Sequence, residues 1–354
     1  MKNLPSDRRN FEDEALKNTD ICSMLDPFKL EVMRQLDAEL PPLLEKFLSD
    51  IDDNWQPSGL LPESSSERFV QDLKEIQELA LDMSYELWIT LIGDTITEEA
   101  LPTYEAWVIN AEGIDQLGKN NWSKWVRGWS AEENRHGDVL NRYLYLSGVV
   151  NMVEVEITTQ HLINDGFDTG MGHDPYKNFI YTSFQELATN VSHRRTATLA
   201  KKAGNHSLAK ICGLVAADEM RHYNAYSSFM DLIFGMDPNG AMTSFNDMMR
   251  RGITMPAHLL RESRMPQGEA FTHFSECAQA IGVYTAYDYI DIYNRLLKVW
   301  QIDAITGLND EAERARDQLM KRPKLIEQLA QRTEKPSCEH DFKWVNSRLK
   351  RNQR

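Results

Sequence analysis

The sequence predicts an all-α protein, and three observations carry that reading. Apolar residues recur at helical intervals over most of the chain, period-2 alternation is almost absent, and Glu-x-x-His occurs twice inside near copies of one phrase. The copies are Ala131-Glu-Glu-Asn-Arg-His136 and Ala217-Asp-Glu-Met-Arg-His222. On a helix this spacing sets a carboxylate and an imidazole one turn apart on one face.

Residues 1–40 are polar and irregular, with Pro5 and Pro27 ahead of Pro41-Pro42, and read as an arm followed by short helices. Residues 41–330 read as one helical domain. Between Phe69 and Ile96, Val70, Leu73, Ile76, Leu79, Leu81 and Met83 fall at helical intervals with acids between them, which predicts two successive helices. The same periodicity predicts helices over 121–147, 151–165, 176–203, 206–234 and 241–252. Turn clusters at 166–175 and 235–240 separate long helices, and a third, from Met255-Pro256 to Gly268, begins a C-terminal set. Residues 331–354 form a basic, Pro-containing segment.

Composition narrows the function classes. The chain has 354 residues, 42% of them hydrophobic, enough for a substantial core. With 39 Lys and Arg against 54 Asp and Glu, the net charge of -15 disfavours a nucleic-acid or anionic-membrane binder. Cys22, Cys212, Cys277 and Cys338 form no C-x-x-C, so neither an iron–sulfur centre nor a zinc ribbon is expected, and a reducing compartment fits. Met1 to Glu14 has no apolar h-region and carries four acids, which argues against a signal or transit peptide and for the bacterial cytoplasm, with the plastid stroma as the alternative. Apolar runs are broken by charge before the roughly 20 residues a bilayer span requires, so membrane insertion is not expected.

A single Glu-x-x-His arises about once by chance in a chain of this size, but two copies sharing the preceding acid, the Arg before the His and an apolar lead-in are specific. Two such helices, with one Glu from each of two others, make a carboxylate-rich site for two metal ions. Thr97-Glu98-Glu99-Ala-Leu-Pro102 offers one further Glu, and spacing leaves Glu98 and Glu99 open. Glu186, the only acid between Phe179 and Val191, offers the other; an unpaired Glu there is costly to bury, and a cation explains it. Pro102 cannot donate to the carbonyl of residue 98, so the helix is expected to kink beside the site. Four carboxylates and two neutral imidazoles balance the +4 charge of two divalent ions, with iron the expected metal and dioxygen chemistry the expected use.

These phrases resemble the soluble acyl-[acyl-carrier-protein] desaturases, typified by the plant stearoyl enzyme, from Trp55-Gln-Pro to about Thr306-Gly-Leu. The residues that carry the resemblance are Gly93-Asp-Thr-Ile-Thr-Glu-Glu-Ala-Leu-Pro-Thr-Tyr104, Trp129-Ser-Ala-Glu-Glu-Asn-Arg-His-Gly-Asp138, Phe179-Ile-Tyr-Thr-Ser-Phe-Gln-Glu186, Ala217-Asp-Glu-Met-Arg-His222 and Met255-Pro-Ala-His258. The resemblance implies an all-α, ferritin-like diiron helical bundle with additional helices. It implies that Glu98 and Glu186 are terminal ligands of two Fe ions, that Glu133 and Glu219 bridge, and that His136 and His222 bind one ion each. By the same resemblance Thr189 lies on the oxygen side, and Asp218 orients His136 and joins Trp55 in an electron route. Acyl carrier protein bearing the fatty acyl substrate, ferredoxin and a second copy of the chain are the implied partners. The reaction implied is insertion of a cis double bond mid-chain, with O2.

The chain departs from the plant stearoyl pattern along the implied substrate tunnel, with Trp107 for Met, Asn110 for Thr, Ala111 for Leu and Asn178 for Gly. Bulk at Trp107 and Asn178 predicts a shallower tunnel and a shorter acyl chain, and Ala111 works against this. Arg194-Arg195 with Lys201-Lys202, and Arg250-Arg251, are candidate docking patches for an acidic carrier protein. Alternatives are a diiron fatty-acyl hydroxylase, or a non-catalytic ferritin-like metal-binding protein, which would not need the extension beyond Gly235. The radical-generating subunit of ribonucleotide reductase needs a Tyr where this chain has Leu140.

Overall fold

The computed structural model describes residues 26–115, 118–166, 168–332, 336–346 and 349. The first 25 residues, which belong to the 1–40 segment read as an arm followed by short helices, and most of 347–354 lie outside that range. Thirteen α-helices make up the described fold, and the one β-type contact among the described residues is an isolated bridge between Val150 and Val345.

Local chemistry sets the helix starts. α1 (Pro27–Leu36) begins with Pro at its first position and the Asp26 carboxylate accepting from the Phe28 N–H at 2.9 Å. α2 (Pro41–Phe47) also opens on proline. The predicted pair between 69 and 96 is α3 (Phe69–Ala80) and α4 (Tyr85–Glu99), the latter capped by the Ser84 hydroxyl. α5 (Leu101–Ile109) follows at once with Pro102 in its first turn, so the expected kink is a break at Ala100. α6 (Asn121–Ser147) and α7 (Met152–Asp165) end at Gly148 and Gly166, both at positive φ that only glycine adopts without cost. α8 (Pro175–Lys202) and α9 (His206–Met236) are the longest, joined by a turn of three residues through Gly204. α10 (Pro238–Arg251), α11 (Glu269–Ala280), α12 (Ala286–Val299) and α13 (Asp310–Ala330) complete the chain.

α4, α6, α9 and α8 close a ring in which each helix packs against the next, and this is the four-helix bundle that holds the site. α11 packs on α4, α10 and α12 pack against α8, and α13 covers α10 and α12 as an outer layer. Two cores fill the interior. One is aromatic, built on Trp122, Trp125, Trp129, Phe179, Tyr226 and Phe229, whose rings meet at centroid distances of 5.1–5.9 Å. The other is largely aliphatic, with Leu91, Ile92, Val139, Leu140, Ile211 and Val215.

Both ends of the described chain are built into the interior. α1 buries Val32, Met33 and Leu36 in the aromatic core, and the Trp122 indole donates to the Met33 carbonyl at 2.9 Å. Residues 336–346 are also built in: Trp344 is fully buried, its indole donating to Thr158 at 3.0 Å, and the Asn151 N–H donates to the Trp344 carbonyl at 2.7 Å. Polar composition hid these few apolar anchors. The C-terminal segment is further joined to α11 by a Cys277–Cys338 disulfide, whereas the sequence reading left all four cysteines unpaired; Cys212 is free and buried.

Candidate metal centre

Each of the four bundle helices contributes to one buried cluster: Glu98 from α4, Glu133 and His136 from α6, Glu186 from α8, Glu219 and His222 from α9, all buried. Glu98, Glu133, His136 and Glu219 form one group whose ligand atoms lie within 4.8 Å of one another, and Glu133, Glu186 and His222 form the second. His136 Nδ1 is 3.0 Å from Glu219 and 3.6 Å from Glu133, and His222 Nδ1 is 2.6 Å from Glu133 and 3.5 Å from Glu186. Glu133 is thus shared by both groups. The choice left open by the spacing falls to Glu98, because Glu99 turns away and accepts from Asn141 at 2.7 Å.

The site fits two divalent metal ions. Glu133 Oε1, His136 Nδ1, Glu186 Oε2, Glu219 Oε1 and His222 Nδ1 are buried and converge without well-formed hydrogen bonds, and a cation would satisfy them together. Electrostatics agree. Burial, and then the Glu219 charge, pushes Glu98 up to about 7, and burial with Glu133 and Glu219 holds Glu186 well above the usual carboxylate range. Burial lowers both imidazoles, but the surrounding carboxylates outweigh it and raise His136 and His222. Without metal, protons compensate the excess negative charge.

The outer nitrogen of each imidazole meets an acid from the opposite motif. His136 Nε2 lies 3.3 Å from Asp218, and His222 Nε2 lies 2.7 Å from Glu132. The sequence reading named Asp218 for this place and missed Glu132, although both precede the ligand Glu in the repeated phrase. Asp218 also accepts from the Trp55 indole at 3.0 Å, from Arg135 at 3.0 Å and from Arg221 at 2.9 Å. Trp55, Asp218 and His136 therefore form a continuous chain from a half-buried indole to the cluster. The Arg135 guanidinium sits 4.2 Å above the Trp55 ring. Two further contacts were missed: His193 Nε2 is 2.9 Å from Glu98, and the Trp129 indole donates to Glu186 at 2.9 Å. Thr189 rests its hydroxyl against Glu219, 3.1 Å from the carbonyls of Gln185 and Glu186 in its own helix.

A largely apolar cavity of about 450 Å³ leads to the cluster. Glu98, Glu133 and Glu219 form its inner end, Thr189, Phe274 and Tyr289 line it, and it reaches the exposed Ala286 at the start of α12. None of Trp107, Asn110, Ala111 and Asn178 lines it, so the expectation that they do is not met. Asn110 is exposed and folds its amide back onto the Ala106 carbonyl, and buried Asn178 donates to the Asp174 carbonyl at 2.9 Å. Ala111 is buried and Trp107 packs against the aromatic core. The last lining residues toward these positions are Tyr104 on α5 and Phe184 on α8.

The sequence profile of the family described as fatty acid desaturase matches residues 28–346, which include every residue of the cluster. The chain belongs to the fatty acid desaturase family. Within it, the chain is 44% identical over 329 residues to stearoyl-[acyl-carrier-protein] 9-desaturase 1, chloroplastic, of Arabidopsis thaliana, covering 91% of this chain and 83% of that one. It is 42% identical to the chloroplastic stearoyl-[acyl-carrier-protein] 9-desaturase of Ricinus communis over 334 residues, 93% of this chain and 84% of that protein. It is likewise 42% identical to the chloroplastic acyl-[acyl-carrier-protein] desaturase of Cucumis sativus, with the same coverage. Membership in this family agrees with the ferritin-like helical architecture, and no described helix is long and apolar enough to cross a membrane.

Of the basic patches, Arg195 is committed to Asp288 and to the carbonyls of Gly282 and Val283, and Arg250 and Arg251 pair with Asp247. Arg194, Lys201 and Lys202 are exposed on α8.

Proposed function

We propose that the protein is an acyl-[acyl-carrier-protein] desaturase that inserts a cis double bond mid-chain, at Δ9, into a saturated C16–C18 acyl group, using O2 and two electrons from ferredoxin. The observation that carries this reading is the convergence of six buried ligand side chains at the inner end of an apolar cavity. In balance, two adjacent methylene carbons each lose one hydrogen, and O2, two electrons and two protons complete two waters. Two iron ions held by Glu98, Glu133, His136, Glu186, Glu219 and His222 would supply the power to oxidise an unactivated C–H bond that no side chain could deprotonate.

The chain's own residues do the rest. The apolar walls bind the acyl group and exclude water beside the cluster. Thr189, bordering both cavity and cluster, presents its hydroxyl on the oxygen side, while Trp55, Asp218 and His136 carry electrons inward from the surface. Arg194, Lys201 and Lys202 offer positive charge to the acidic carrier protein. A shorter acyl chain than stearoyl is proposed from the sequence departures at Trp107 and Asn178 alone, since neither lines the cavity. A homodimer is proposed from the family resemblance. The relatives' names place them in chloroplasts, which supports the stromal alternative over the bacterial cytoplasm.

The test loads the protein with ferrous iron, supplies palmitoyl- and stearoyl-carrier protein with reduced ferredoxin and O2, and identifies the fatty acids by mass spectrometry. A monounsaturated product, absent in Glu133→Ala and formed faster from palmitoyl than from stearoyl substrate, is expected. Hydroxylated acid as the main product would overturn the desaturase reading, and a clear preference for stearoyl substrate would overturn the chain-length reading alone.

A further inference from the structure

The outer wall of the cavity is built from one stretch of chain. Phe274 and Ala278 on α11, Tyr284 and Tyr289 around the start of α12 and Ile326 on α13 all line it. Cys277 stands between the first two and is bonded to Cys338, 61 residues further on, with Cα atoms 4.7 Å apart. The loop closed in this way contains α12, α13 and the exposed Ala286 that the cavity reaches. The inner wall, on α4, α5 and α8, lies outside the loop.

Both ends of the disulfide sit on fixed supports. α11 is wedged on α4, with Phe274 lying over Gly93. Beyond Cys338 the chain is anchored by buried Phe342 and Trp344, and the Tyr85 hydroxyl accepts from the Phe342 N–H at 2.8 Å and donates to the His340 carbonyl at 2.9 Å. Between those supports the loop meets the bundle at α12, which packs on α8 and pairs Asp288 with Arg195. The two sulfurs differ in access: Cys277 is fully buried, whereas Cys338 is half-buried between exposed Ser337 and Glu339. A thiolate arriving from solvent therefore meets Cys338 first.

We propose that the Cys277–Cys338 pair is a thiol–disulfide exchange site for a dithiol reductant, and that its state governs how readily the outer wall of the cavity opens. One thiolate of the reductant attacks the Cys338 sulfur, and Cys277 leaves and takes up a proton. The second thiol of the reductant then attacks its own sulfur in the mixed disulfide, and Cys338 leaves with the second proton. Two electrons and two protons pass to the protein, and the reductant closes to its own disulfide. While the bond stands, any opening of α12 must keep the two ends of a 61-residue loop together, which removes conformational freedom from the open forms. Once the bond is cut the open forms regain that freedom, so the wall parts more often and an acyl chain enters and leaves faster. The device needs the cavity and not the reaction proposed above.

Hydrogen exchange read by mass spectrometry tests this on the full-length protein, air-oxidised or treated with dithiothreitol. Thiol titration in denaturant defines the two states: two thiols, Cys22 and Cys212, in the oxidised protein and four in the reduced one. Reduction is expected to speed amide exchange in α11 and α12 by about tenfold, with α6 and α9 unchanged. Cys338→Ser, at a half-buried position, is expected to exchange like the reduced protein and to ignore dithiothreitol. The comparison of the two wild-type states needs no substitution, so it stands even where a variant misfolds. A disulfide that dithiothreitol opens only after denaturation would overturn the exchange site. Four thiols with unchanged exchange in α11 and α12, or faster exchange confined to residues 336–346, would overturn the control of the wall, as would a Cys338→Ser protein that still responds to dithiothreitol.

Discussion

Glu132 and Asp218 occupy the same place in the two copies of the repeated phrase, and each grips the imidazole of the other copy. Removing such an acid frees a ring that must present Nδ1 to a metal, so Glu132→Ala is expected to lower iron affinity about 10- to 100-fold, as is Asp218→Ala. Competition with a chromophoric chelator measures this, and unchanged affinity in Glu132→Ala would remove the orienting role. Protonation belongs to the same scale. The raised values of Glu98, Glu186, His136 and His222 mean that the metal-free site holds protons near neutrality which incoming ions must displace. Iron affinity is therefore expected to rise with pH, by about tenfold per unit for each proton displaced, between about pH 6 and about pH 8. Affinity flat across that window would contradict the proton inventory. The six side chains that the structure gathers were legible in the sequence because Glu-x-x-His is local and Glu186 is isolated in an apolar run. His193 and Trp129 were not, because each meets its Glu across a helix–helix gap that no short spacing records.

Helix against helix, two glycines set how closely the ring can close. A Cβ at Gly137, directly after the ligand His136, would lie 3.2 Å from the backbone of Glu98, so α4 passes α6 at the level of the cluster. Gly137→Ala is expected to push Glu98 outward, costing about 1–3 kcal/mol in stability and lowering iron occupancy, measured by denaturant unfolding alongside metal analysis. Stability falling with occupancy intact would place the strain elsewhere. At Gly93, a Cβ would sit 2.1 Å from the Phe274 ring, which explains how α11 reaches the cavity it lines. Helix periodicity found α6, α8, α9 and α10 to within about three residues, because their caps are local: Asn120, Asp174, Asn205 and Asp237 each supply the side chain that accepts the first free N–H groups. The same periodicity is silent about which faces touch, which is why tunnel positions drawn from resemblance alone did not match the cavity.

The molecule as a whole is closed by both of its ends. The short helix near the N-terminus and the basic C-terminal segment place Met33 and Trp344 in opposite cores, which composition could not show because a few buried apolar side chains outweigh many exposed charges. Trp344→Ala is expected to cost about 3–5 kcal/mol, read from the unfolding midpoint in denaturant. A loss below about 1 kcal/mol would return the C-terminal segment to the status of an appendage. The disulfide partners were equally invisible, since 61 residues separate them in the chain. The crossed support of the two motifs has a consequence for assembly. Each half of the bundle supplies Glu and His side chains to the cluster and the acid that braces the other half's imidazole, so neither half is a finished site on its own. Were metal to fill the cluster, filling would be a property of the closed ring, since a chain with its halves apart brings together neither the donors nor their braces.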